Sequence, residues 1–196
     1  MKNTIAAIAL LALAACGQAQ DATKEGDTPA QNTAASGPNL CEAKAEKVWV
    51  EVNGANYTVE AATAGPSCAE AVATLTVRGP EGVSLHQFRA PVQQIFGLRD
   101  AADPAAMQTE VTAWLGQTPP ALANTGGVPD WREVNLQPDV SEFPFYPQEG
   151  MDRATYLSIR TARLPMFCFA QGRESMNCLY LKDGQVAPYG LQTFPG

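Results

Sequence analysis

Five cysteines, one histidine and twenty acidic side chains are the residues with which this 196-residue chain could do chemistry. A serine–histidine–acid triad would have to use His86, and no Gly-x-Ser-x-Gly elbow is present to carry its nucleophile. Neither a phosphate-binding glycine loop nor a dinucleotide glycine pattern occurs. Carboxylate pairs such as Glu42 with Glu46, or Glu142 with Glu149, could meet, but twenty acids single out no pair. A zinc site needs ligand pairs about two to four residues apart. No two of Cys16, Cys41, Cys68, Cys168 and Cys178 are that close, so no metal and no cofactor is expected. Four of these thiols, Cys41, Cys68, Cys168 and Cys178, are an even set with three possible pairings. The local pairs Cys41–Cys68 and Cys168–Cys178 are the expected disulfides. Paired, they leave no thiolate nucleophile, and the chain reads as non-enzymatic more readily than as an enzyme.

Binding chemistry is better represented. Phe143-Pro144-Phe145-Tyr146-Pro147 places three aromatics between two prolines, and Trp131 lies a short way upstream. Proline restricts the backbone, so less order has to be created on binding. Trp131, Phe143, Phe145 and Tyr146 are therefore the candidate partner-binding residues. The competing expectation is that Phe143 and Phe145 fold back over a sheet while Tyr146 caps its edge. Arg153, Arg160 and Arg163 could form a basic spot or pair with nearby carboxylates.

Cys16 has a different setting. Lys2 is followed by an apolar run from Ile5 to Ala15, and polarity returns at Gln18 and Asp21. That length suits a secretory signal, about 7–15 apolar residues, and falls short of the roughly 20 needed to span a bilayer. Leu13-Ala14-Ala15-Cys16 closely resembles the lipobox of bacterial lipoproteins. The resemblance implies cleavage after Ala15, a diacylglyceryl thioether on the Cys16 sulfur and acylation, such as by palmitate, of its new amine. Several acyl chains meet the requirement for stable anchoring. Gly17 is not the Asp that retains such proteins in the inner membrane, so the implied place is the periplasmic face of the outer membrane. The resemblance concerns the targeting segment alone.

The rest of the chain must position these groups. Residues 1–15 are read as a cleaved signal and 16–40 as a lipidated tether. The stretch GQAQDATKEGDTPAQNTAASGPN has no aromatic residue, and about 22 such residues reach about 25 Å on average. Residues 41–196 are read as one globular domain. Net charge is −7, about −8 without Lys2, which disfavours nucleic acid and anionic lipid surfaces as partners.

In KVWVEVNGANYTVEA, Asn53-Gly54 predicts a two-residue hairpin turn with Val52 facing Ala55, Val50 facing Tyr57 and Val48 facing Val59 on one side. Trp49 is expected on the other side. ATLTVRGPEGVSLHQF predicts a second hairpin, with Leu75, Val77, Val83 and Leu85 alternating against Thr74, Thr76, Ser84 and a solvated His86. Asp103-Pro104 caps a helix over about 104–115, carrying Met107, Val111, Trp114 and Leu115 inward and stopped by Gly116. Val92, Ile95 and Phe96 suggest a helical turn before it. Residues 116–152 are rich in Pro and Gly. From Ala154 onward three or four strands are expected, with a turn at 171–175 and another at Asp183-Gly184. The fold class is α+β: a mostly antiparallel sheet built from hairpins, one main helix and two disulfides.

Three functions fit. The first is a lipid-anchored envelope protein presenting an acidic domain to a partner protein; one form is an inhibitor of a basic wall-degrading enzyme, since opposite charge speeds encounter. The second is a periplasmic enzyme or small-ligand carrier with a cleft beside residues 117–150. The third is a structural accessory of the envelope.

Overall fold

Strand β1 (Ala43–Val52) turns through Asn53 and Gly54, with φ of 53° and 78°, into β2 (Ala55–Ala64). Both turn residues have the positive φ that this hairpin requires. β3 (Val72–Arg78) and β4 (Ser84–Pro91) follow, giving an antiparallel sheet in the order β1-β2-β3-β4. This structure, a computed structural model, describes residues 40–139 and 142–194. Cys16, its lipobox and the tether through Asn39 lie outside the described residues.

Both hairpins depart from strict alternation. Val52 faces Ala55 and Val50 faces Tyr57, as expected, but the register shifts between Val48 and Val50. Lys47, not Val48, stands opposite Val59, and Val48 is 55% exposed. A bulge flips the alternation of everything beyond it. Here it turns Trp49 inward, where its indole N–H donates to the Met166 carbonyl at 3.3 Å and its ring lies 5.9 Å from that of Phe167. Burying an indole gains more apolar area than burying a valine. The Lys47 ammonium lies 5.3 Å from the Phe167 ring centre, and burial lowers its pKa.

In the second hairpin the register shifts between Val77 and Arg78, so His86 stands opposite Val77. His86 is therefore half-buried on the inner face, not solvated on the polar one, and burial pushes its pKa below the ordinary value. Val83, expected inside, is exposed in the turn.

Helix α1 (Pro104–Leu115) has the bounds the sequence predicts. The Asp103 carboxylate accepts from the Ala106 N–H at 2.8 Å, and Met107, Val111, Trp114 and Leu115 are all buried. Single 3₁₀ turns at Val92–Gln94 and Leu98–Asp100 precede it.

A second antiparallel sheet has the order β5-β8-β7-β6: β5 (Phe145–Pro147), β6 (Met166–Ala170), β7 (Ser175–Lys182) and β8 (Gln185–Thr193). Cys168 and Cys178 are paired across β6 and β7 and bonded, and Cys41 is bonded to Cys68, as expected. The stretch Arg153–Ala162, however, is helix α2 and not strand. The Asp152 carboxylate accepts from the Thr155 N–H at 2.7 Å, and Tyr156 and Ile159, three residues apart, face inward. The helix ends at Arg163 with φ 50°, a position where glycine would have been the usual signal.

All five residues of β6 are buried, because the strand lies between two cores. Phe167 and Phe169 join α1 and the inner face of the first sheet; Met166 and Cys168 join Tyr156, Tyr189 and Phe145. The apolar run MFCFA is what a strand covered on both faces requires. No described helix is long and apolar enough to cross a membrane.

Candidate functional site

The outer edge of β6 determines the course of the Pro-rich segment. An uncovered strand edge presents unpaired N–H and C=O groups. Here residues 117–123 cover it largely with side chains. The Gln117 side-chain carbonyl accepts from the Ala170 N–H at 3.0 Å. Thr118 Oγ1 donates to the Cys168 carbonyl at 2.8 Å and accepts from the Cys168 N–H at 3.0 Å. The Met166 N–H reaches the Ala123 carbonyl at 3.0 Å. Prolines 119 and 120 have no N–H to satisfy, so the segment can lie here without forming a ladder.

Thr125 then clamps this segment to the end of α2. Its hydroxyl donates to the Ile159 carbonyl at 2.7 Å and accepts from the Leu164 N–H at 2.9 Å, while its own N–H donates to the Leu164 carbonyl at 2.9 Å. Thr125 is fully buried. At Gly127 the chain passes so close to the Ala121 carbonyl that a β-carbon would overlap it.

Covered in this way, β6 is sealed, and a groove is left between the Pro-rich segment and the ends of β7 and β8. It has a volume of about 600 Å³ and is lined by Pro119, Leu122, Met176 and Phe194, with Phe143, Asp130 and Asp139 completing the lining. Phe194 is held by an edge-to-face contact with Phe96, ring centres 5.7 Å apart. A smaller apolar hollow continues past Met176 and Phe194 to Phe96. On another side of Phe194 lies a notch lined by Glu142, Glu174, Ser175 and Thr193.

The four candidate aromatics divide. Phe145 is buried, its ring 5.5 Å from Tyr189 and 6.2 Å from Tyr156. Trp131 is half-buried against Tyr156, and its indole N–H donates to the Asn135 carbonyl at 3.0 Å. Phe143 and Tyr146 are 41% and 45% exposed, and only Phe143 borders the groove. Trp131 and Phe145 thus meet around Tyr156, whereas Phe143 and Tyr146 are directed elsewhere.

Trp131 opens a loop from Asp130 to Asp139, closed by the Asp139 N–H on the Asp130 carbonyl at 2.7 Å. The Asp139 carboxylate accepts from Asn135 at 2.6 Å and Arg132 at 3.1 Å. Val134 and Leu136 stand at 88% and 99% exposure on this loop. The arginines divide too: Arg153 donates to the Trp131 carbonyl, Arg160 to the Val128 carbonyl with Asp130 3.8 Å away. They pin the Pro-rich segment to α2 instead of forming a free basic spot.

The ionisable residues that line the groove are Asp130 and Asp139, each with an arginine nearby. Burial raises the phenols of Tyr156 and Tyr189 far above their ordinary pKa, and each O–H donates to a carbonyl, of Pro129 and Tyr156 respectively. His86 does not line it. The cysteines at 41, 68, 168 and 178 are in disulfides, and among the described residues no group of three or more His, Cys, Asp or Glu could hold a metal ion. The arrangement is suited to burying an apolar group of something else.

Met176, Phe194 and Leu122 escape sequence reasoning because they are isolated apolar residues, with Leu122 more than fifty residues before the other two. The weak signal for them is the Pro-rich segment itself, which has to cover something. No family model matches the chain, and no curated protein and no solved structure matches it, so its functional reading rests on this geometry.

Proposed function

We propose that this chain is a lipid-anchored protein of the bacterial cell envelope, held at the periplasmic face of the outer membrane through Cys16. It acts without catalysis, by docking a partner protein in the groove beside the Pro-rich segment. The lipobox supports the anchor and location. One observation carries the docking: a half-exposed aromatic, Phe143, stands at the mouth of an apolar groove whose walls are fixed by Thr125 and the seal on β6. Aromatic anchors beside fixed concavities are where binding energy concentrates.

The test is photocrosslinking in living cells with benzoylphenylalanine at position 143, followed by mass spectrometry. The expected result is one dominant protein adduct, lost when Met176→Lys puts a charge in the groove. Position 145, being buried, serves as the control and should give none. Crosslinking at 143 that ignores Met176→Lys would refute the docking site. Cys16→Ser should release the chain from the membrane fraction; retention there would refute the anchor.

A second reading has its own support. The groove volume lies within the range of about 300–1,000 Å³ common for small-molecule sites. A carrier of a small apolar ligand would show extractable ligand in the purified protein and no adduct at 143.

A further inference from the structure

The groove is apolar, yet the ionisable residues that line it and its neighbouring hollows are all acidic. The groove, the hollow beyond Met176 and the notch beside Phe194 together include Asp130, Asp139, Glu142 and Glu174 among their lining residues, and no Lys, Arg or His. These carboxylates are not equivalent. Asp139 is engaged by Arg132 at 3.1 Å, and Asp130 lies 3.8 Å from Arg160, so their charge is partly met within the chain. Glu142 and Glu174 are exposed, line the same notch and have no ion-pair partner among the described residues. Phe194 lines both the notch and the groove, so an apolar group seated against it has two carboxylates at its side.

That combination selects among occupants. A fatty acid or anionic lipid would fill the apolar space but bring like charge to the notch. A second copy of this chain would bring a net charge of −7. A cation attached to an apolar body meets both requirements. We propose that the groove takes a short peptide segment of a partner protein in which a bulky apolar side chain is adjacent to a lysine or arginine. The apolar side chain enters the groove against Phe143 and Phe194, and the cation reaches Glu142 and Glu174. This rests on the docking reading above and names the partner's chemistry.

Random seven-residue peptides displayed on phage and selected on the purified whole chain provide the test. The expected peptides share an aromatic or large aliphatic residue next to Lys or Arg. Their binding should fall with salt. The double variant Glu142→Gln, Glu174→Gln should weaken them about fivefold, as two solvent-exposed pairs would, and flatten the salt dependence. Phe143→Ala, with an unchanged urea midpoint showing the fold intact, should weaken charged and uncharged apolar peptides alike. Selection of apolar peptides without a cation, or with Asp or Glu, would overturn the cationic partner while leaving the docking groove in place. Selection of nothing, or of peptides indifferent to both Phe143→Ala and Met176→Lys, would overturn the groove itself. Binding of neutral phosphatidylethanolamine vesicles in preference to any peptide would also overturn the proposal, by making a membrane the occupant.

Discussion

Replacing Thr125 with valine changes the shape of that side chain very little and removes its hydrogen bonding. In the native structure the hydroxyl satisfies the Ile159 carbonyl at 2.7 Å and the Leu164 N–H at 2.9 Å, at a site with 0% exposure. Valine fills the same volume, so no cavity or overpacking contributes. Two main-chain groups lose their partner where water cannot readily replace it. Each such group costs about 1–3 kcal/mol when buried. The Leu164 side is partly exposed and belongs at the low end. The sum is about 2–4 kcal/mol. With a urea m-value of about 2 kcal/mol/M, the unfolding midpoint should fall by about 1–2 M. Tryptophan fluorescence in urea, disulfides intact, measures it. Thr125→Ser keeps both bonds and loses one methyl, so it should cost about 1 kcal/mol. A valine variant within about 0.5 kcal/mol of the native protein would refute the reasoning, as would a serine variant as damaged as the valine one.

Other residues lead to outcomes as definite. Gly127→Ala would drive a β-carbon into the Ala121 carbonyl, so the groove wall must shift; the crosslink at position 143 should drop sharply, and an unchanged yield would mean the wall is not part of the site. Burial lowers the His86 pKa in the folded state, so the unfolded chain takes up protons first: stability should be intact above pH 6.5 and decline as pH falls below it, and His86→Gln should flatten that decline in urea titrations. Glu60 is held below the ordinary carboxylate range by its bond to Lys44, with Arg78 adding to it; its contribution is present above pH 4.5 and lost below, so Glu60→Gln should flatten the acid limb and not the one near pH 6. Leu136→Ser, at 99% exposure, should change stability by less than about 0.5 kcal/mol; a larger loss in urea would mean that the loop tip is packed.

How far the sequence could be read depended on whether the deciding signal was local. Asp103-Pro104 and Gly116 bound α1 because a cap, a first-turn proline and a stop lie within its own fourteen residues. Asn53-Gly54 set its hairpin for the same reason. The errors begin where a distant partner decides. The bulge at Trp49 exists because Met166 and Phe167, over a hundred residues away, offer the indole a carbonyl and a ring. His86 faces inward because a shift beside Val77 turns it there. The α2 stretch reads as strand because Thr155, Tyr156 and Ile159 favour strands locally and its end lacks a glycine, whereas Tyr156 is buried against Tyr189 and Phe145. The same division separates the candidate aromatics: their loop was evident, but which of Phe143 and Phe145 faces the core depends on α2, which was not anticipated.

The Pro-rich segment links stability to the proposed docking. β6 is buried on both faces and is the last strand of its sheet, so its open edge has to be closed by another segment. A segment dominated by proline closes it through Gln117 and Thr118, because side chains can make the bonds that proline nitrogens cannot. A cover held by a few side-chain bonds touches the edge of the sheet but does not lie across its end. Met176, buried near the start of β7, and Phe194, just beyond β8, line the groove together with Leu122 of the cover. The groove is the space this mode of closure leaves open, and it stays open because Thr125, Arg153 and Arg160 hold the cover to α2. Had an ordinary strand sealed β6, its side chains would have alternated over that space and filled it. The residues that close the sheet at its edge are for that reason also those that shape the proposed docking site, and substitutions at Gln117 or Thr118 should weaken the proposed partner binding and stability together.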